Sequence, residues 1–211
     1  MNIVRFFGKL LISLGCGVLI FVAWTLWGTG LITARHQEAL EQAWAHEPPI
    51  AIAAGEETEV PESFQPAPGE GVFRLRIPAI SYNDLVVEGV NKEQLYKGPG
   101  HYPSCREGFG RPYCTEFDAA WPGEDGRVIV SGHRTTYGAP FYDLDKLKPG
   151  DEVLTETRWG DFTYEVTELE IVPADSLAIA IQNDVAEIVL TTCNPKYSAE
   201  QRLIVYARLV P

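Results

Sequence analysis

Residues 190–210, LTTCNPKYSAEQRLIVYARLV, set a cysteine at the end of an apolar run, stop the run with a proline two residues later, and open the next run with an arginine. Buried, Cys193 would be a small inert hydrophobe. Exposed at a strand end beside a cation, it would be a nucleophile. The two runs flanking NPKYSAEQ read as strands, and a tight loop between antiparallel neighbours would return Arg202 beside Cys193 at one rim.

Working outward, RVIVSGH at 127–133 is a second short apolar run ending in a polar group, His133. Two buried strands that finish this way would present both groups at the same edge. VFRLRIP, LVVEGV, DEVLTET and DFTYEVTELEIV complete a series of strands separated by Gly, Pro and Asp turns. FYDLDKL and ADSLAIAI are short helical pieces, and no segment between the strands has the length and period of a long helix. Residues 71–211 therefore read as one all-β domain, an antiparallel barrel or sandwich. In 162–171 the apolar residues change parity between Val166 and Leu169, which predicts a bulge or bend near Thr167–Glu168.

The N-terminus sets the compartment. Leu10 to Ile32 carries no charge, with Arg5 and Lys9 before it and Arg35 after it. Those 23 residues make a helix of about 35 Å, enough to cross a hydrocarbon core of about 30 Å. The first 34 residues carry +2, leaving −14 for the rest of a chain whose net charge is −12. The expectation is an uncleaved single-pass anchor over 1–34, with the N-terminus cytoplasmic and the acidic bulk exported. A cleaved signal peptide fits less well, because the apolar stretch is long and the A-x-A-like site at Ala43–Ala45 lies far beyond it. Residues 35–70 read as a helical extension followed by an acidic, Pro-rich linker. As an extended stalk, 47–70 would lift the domain on the order of 75 Å from the membrane.

The acidic charge argues against nucleic acid. No HExxH or paired CxxC points to a metal, no spaced loop points to calcium, and no cofactor is expected. Cys105 and Cys114 bracket a Gly/Pro loop in an exported domain. A local disulfide between them is the economical reading, and it leaves Cys193 unpaired. Cys193, His133 and Arg202 then form a constellation of nucleophile, acid/base and cation for a developing oxyanion. With reference pKa values of about 8.5 and 6.5, the thiolate–imidazolium pair is only ~1% of such a site at neutral pH.

The ordered motifs RIPAI, VVEGV, GPGHYP, SGHRTTYGAPFYDLDKLKPGD, LTTCNP and QRLIVYARL resemble those of the sortases, membrane-anchored cysteine transpeptidases of Gram-positive bacteria, and most of all their class E branch. The resemblance implies a closed eight-stranded β-barrel over 71–211 with His133, Cys193 and Arg202 catalytic. It implies cleavage of a C-terminal sorting signal, Leu-Ala-x-Thr-Gly or Leu-Pro-x-Thr-Gly, between Thr and Gly. A thioester on Cys193 would then be resolved by the amine of a peptidoglycan precursor. Thr192, Asn194 and Tyr102 are the expected groove residues, and secreted proteins bearing the signal are the expected partners. The stretch 103–125 is longer than that pattern requires. Rival readings are an L,D-transpeptidase, although Pro195 stands where that family's arginine would be, an exported cysteine peptidase, and a non-catalytic barrel that binds wall polymers.

Overall fold

The computed structural model describes residues 2–48, 50, 60–61, 64–105, 114–115, 119–176 and 180–211. Eight strands close into a barrel: β1 (Gly71–Ile77), β2 (Tyr82–Glu88), β3 (Gly100–His101), β4 (Arg127–Ser131), β5 (Glu152–Glu156), β6 (Asp161–Pro173), β7 (Glu187–Asn194) and β8 (Gln201–Leu209). Their order around the barrel is β1-β2-β3-β4-β7-β8-β6-β5, with β5 closing onto β1. Seven of the eight match runs read from the sequence. β3 is the exception: two residues inside a segment that reads as a turn.

The pairing departs from an all-antiparallel barrel in two places. β2 runs parallel to β3, and β4 runs parallel to β7. A parallel neighbour needs a crossover, and between β2 and β3 it contains the short helix α3 (Lys92–Leu95). The second parallel pair positions the chemistry, because it makes β4 and β7 finish at the same end. β7 is central, bonded to β4 on one side and β8 on the other, and its residues 187–192 are all buried.

β6 shifts register between Val166 and Glu168 against β8, at the predicted bulge. The shift lets Tyr164 and Val166 pack in the core from one parity while Leu169 reaches the same cluster from the other. The core is a single large cluster that includes Phe73, Leu75, Phe141, Tyr164, Leu190 and Val205, all fully buried.

Buried among these residues is His101 on β3. Its Nδ1 lies 2.8 Å from Glu88 Oε2 and its Nε2 lies 3.1 Å from the carbonyl oxygen of Ala120. Trp121 stacks on the ring at 4.3 Å.

Residues 2–46 form one helical rod. α1 (Asn2–Ala23) passes through a π-turn at Trp24–Gly28 into α2 (Thr29–His46). The rod includes a stretch long and apolar enough to cross a membrane. α2 docks along the barrel wall through Thr29, Thr33 and Gln37, spaced one turn apart and all buried. Because β3 is so short, the edge of β2 at Leu85 has no strand beside it, and the Gln37 amide takes that place. Its Nε2 donates to the carbonyls of Leu85 and Lys97, and its Oε1 accepts from Leu85 N. Further along, Glu41 receives two bonds from Arg74, and Arg158 pairs with Glu47 over the Trp44 ring.

This docking corrects the stalk reading. The barrel lies against the rod at residues 29–47, and the far end of the linker is also tied to the barrel through the bond from Gly69 N to Glu88 O. A segment with both ends on the same body cannot hold that body at a distance. Pro49, residues 51–59, the loops at 106–113 and 116–118, and residues 177–179 of the ADSLAIAI piece lie outside the described residues. Cys105 and Cys114, which flank the first of those loops, are joined by a disulfide bond.

Candidate active site

Cys193 stands directly opposite Arg202 in the β7–β8 ladder. Opposed residues of an antiparallel pair share a face, so both side chains leave the same side of the sheet. That side is the outside of the barrel. Ile188 and Leu190 belong to the interior cluster, whereas Val189 packs outside with Val172, Ile204 and Tyr206. By alternation Thr191 and Cys193 continue the outer face. Cys193 is a half-buried free thiol.

β4 brings His133 to the same level. The ladder ends where Ser131 pairs with Thr191 and Gly132 N donates to the Thr191 carbonyl, so His133 follows two residues past the end of β4, the strand next to the one that carries Cys193. Thr192 Oγ1 donates to the Gly132 carbonyl at 2.7 Å and fixes this junction. Gly132 has no room for a side chain, since a Cβ would lie 2.6 Å from Phe141 Cδ2.

The His133 ring tilts onto Tyr137, centroids 4.8 Å apart, and Tyr137 stacks on Tyr96 at 4.3 Å. His133 Nε2 is buried and makes no hydrogen bond among the described residues. Burial lowers the pKa of this imidazole below its ordinary value, which favours the neutral ring.

Arg202 is half-buried. Its Nη1 donates to the carbonyls of Ala199 and Gln201, which turns the guanidinium over the end of the β7–β8 loop. The other guanidinium donors have no partner among the described residues. A planar cation held this way at a strand end can receive a developing oxyanion.

The expected groove residues fare differently. Thr192 and Asn194 alternate with Cys193 and so leave the other face of β7. The Thr192 hydroxyl is committed to Gly132, and Asn194 Nδ2 donates to Gln201 Oε1. Tyr102 N bonds the carbonyl of Ile129, four residues along β4 from His133, about 13 Å away along the strand. The structure brings none of the three to the face that carries the thiol. Period-two alternation, applied to Cys193, would have excluded Thr192 and Asn194 from the sequence.

Two residues escaped the sequence reading. Thr191 lies on the thiol's face, and its buried Oγ1 has no partner among the described residues. Arg134, directly after His133, is 3% exposed. It ion-pairs with Asp145 at 3.0 Å, donates through Nε to the Tyr142 carbonyl, and reaches the Cys193 carbonyl with Nη1 at 3.3 Å. It thereby clamps the histidine loop onto the end of β7. Its adjacency to His133 was the available signal.

The Sortase domain family profile matches residues 75–210. The chain belongs to the sortase family. It is 34% identical over 152 residues to Sortase D of Bacillus subtilis, covering 70% of this chain and 68% of that protein. It is 30% identical over 224 residues to Sortase SrtE1 of Streptomyces coelicolor, covering 98% of this chain but only 57% of that one. Among solved structures, sortase E from Streptomyces avermitilis superposes with a TM-score of 0.54 at 31% identity, over 69% of this chain and 91% of that one. A Clostridium perfringens sortase D5 shares the fold with a TM-score of 0.62 at 22% identity, over 85% of this chain and 99% of that one. Sortases are cysteine transpeptidases, so this sortase is an enzyme of that family and not an inert wall-binding barrel. These relatives are sortases of classes D and E.

Proposed function

We propose that this sortase cleaves a C-terminal sorting signal of Leu-Ala-x-Thr-Gly or Leu-Pro-x-Thr-Gly type between Thr and Gly, and joins the threonine to an amine of a peptidoglycan precursor. The observation that supports this is the pairing of Cys193 with Arg202 at one end of the β7–β8 ladder, with His133 two residues past the end of β4, the neighbour of β7 on its other side. The Cys193 thiol passes its proton to His133 as its sulfur attacks the threonine carbonyl carbon, and the electron pair moves to oxygen, towards the Arg202 guanidinium. The C–N bond then breaks, and the glycine amine leaves with a proton from His133. In the second half the acceptor amine attacks the thioester carbon, gives its proton to His133, and expels the thiolate. Thr191, buried and unpartnered on this face, is the polar group offered to the bound signal backbone. The rod's apolar part anchors the enzyme in the membrane, with the N-terminus cytoplasmic and the barrel exported. The class E pattern of its motifs favours alanine in the second position of the signal.

The test is a mass spectrum of the full chain in detergent after incubation with a Leu-Ala-x-Thr-Gly peptide, with and without an amine acceptor. An acyl adduct on Cys193 together with acceptor-joined peptide is expected. Cleavage with no joining at any acceptor concentration would make the protein a peptidase, and an unmodified Cys193 would remove it from the reaction.

A further inference from the structure

The docking of α2 fixes the height of the rim. Counting a hydrocarbon core of about 30 Å upward from Leu10 takes twenty helical residues and ends at Thr29. Along that span large apolar side chains such as Leu14, Leu19, Ile20 and Phe21 are exposed to the surroundings of the protein. Trp24 and Trp27, also exposed, occupy the last turn and a half, where interfacial aromatics collect.

The barrel meets the rod at this same level, and it does so with the rim. Thr29 Oγ1 accepts from Tyr137 N, and Gly30 lies so near Gly138 that a Cβ would sit 3.4 Å from Gly138 N. A cleft of ≈ 310 Å³ is shared between Trp27 and Gly30 of the rod and Gly138, Tyr142 and Tyr197 of the barrel. Tyr142 is 38% exposed and Tyr197 is 69% exposed, both on loops that adjoin the active site. The bonds made by Thr33, Gln37 and Glu41 hold the barrel at that height over about three further turns.

We propose that the rim carrying Cys193 is a membrane-contact surface, with loops 135–142 and 195–200 resting on the headgroup layer of the bilayer through Tyr142 and Tyr197. The proposal rests on the reading of the apolar rod as a membrane span and is independent of the chemistry assigned to Cys193. Tyrosine suits the role, since its ring is apolar and its hydroxyl stays wet. The thiol would then work within a loop's width of the lipid surface, with no stalk between.

The test uses the full chain with Cys193→Ala, reconstituted in phosphatidylcholine–phosphatidylglycerol vesicles and spin-labelled at one site at a time. The sites are the native Cys16, Tyr197→Cys, and Asp161→Cys, the last two with Cys16→Ser. Asp161 follows the 157–160 turn that meets Trp44 and Glu47, about 24 Å further along the rod than Gly30. Collision with oxygen against a water-soluble nickel chelate reads depth. Cys16 should read as hydrocarbon, position 197 as headgroup with an oxygen-to-nickel ratio several-fold above position 161, and position 161 as water. Equal ratios at 197 and 161 with Cys16 in hydrocarbon would overturn the proposal and leave the anchor standing. A water-exposed Cys16 would overturn the anchor and the proposal together. Repeating the comparison at Tyr142→Cys guards against a perturbation local to position 197.

Discussion

Two histidines sit in the two contrasting regions of this barrel. His101 is sealed in the interior with both ring nitrogens engaged, one by Glu88 and one by Ala120, and with Trp121 against its face. His133 is at the rim, and its Nε2 is buried without a partner among the described residues. Close by on the outer face, Thr191 Oγ1 is in the same condition. A buried polar group left unmatched costs free energy, a cost that His133 Nε2 and Thr191 Oγ1 carry and the His101 ring does not. The interior histidine is held by its partners, whereas the rim histidine has an Nε2 left without one among the described residues.

Four measurements would break or sharpen that contrast. The largest effect is expected from Cys193→Ala, which should abolish transpeptidation while leaving the circular dichroism and melting temperature essentially unchanged. Turnover near the wild-type rate would place the chemistry elsewhere. Next, Glu88→Ala strips a buried partner from His101 and should cost about 3–5 kcal/mol of stability in denaturant titrations. A loss no greater than that caused by His133→Asn would erase the distinction between the two histidines.

Third, Arg202→Lys should lower kcat/KM by about 10²-fold with little change in stability, because a point charge does not reproduce a planar fork of donors. Undiminished kcat/KM would put the guanidinium outside the reaction. The smallest effect concerns pH. Burial depresses the pKa of His133 in the folded protein, whereas the unfolded chain titrates near about 6.5. Above that pH both states hold the ring neutral and nothing changes. Below it the unfolded state takes the proton first, so stability falls as pH falls towards the folded value. Between pH 7 and 5 the wild type should lose more stability than His133→Asn, and parallel losses would show that the ring is not desolvated.

Much of the rim was legible because it is built from local signals. Apolar runs that end in Cys193 and His133, with an arginine opening the following strand, specify strand ends whatever the barrel does with them. The bulge in β6 was legible for the same reason, since a change of parity within one strand has few other physical meanings. β3 was not, because two residues in a Gly/Pro segment carry no period. The face carrying the thiol was half legible. Alternation separates Thr191 from Thr192, but only the packing of Val189 outside and Leu190 inside says which face is which.

The docking of α2 was invisible for a different reason. A helix that buries an apolar stripe announces itself by hydropathy, whereas α2 buries Thr29, Thr33 and Gln37, which read as solvated surface. Their value arises only where β2 leaves the backbone of Leu85 unpaired, and that vacancy exists because β3 is short.

The sequence by itself determined the family, the run of strands and the apolar span, since each is written in contiguous residues. Tertiary structure decided that β4 lies parallel to β7, so that the strands leading to His133 and Cys193 finish at the same end. It also decided that the barrel leans on its own N-terminal helix instead of standing away from it. Both depend on hydrogen bonds between residues tens of positions apart, such as Gln37 with Leu85 and Thr192 with Gly132, and those pairings follow from the closed sheet and not from any local pattern.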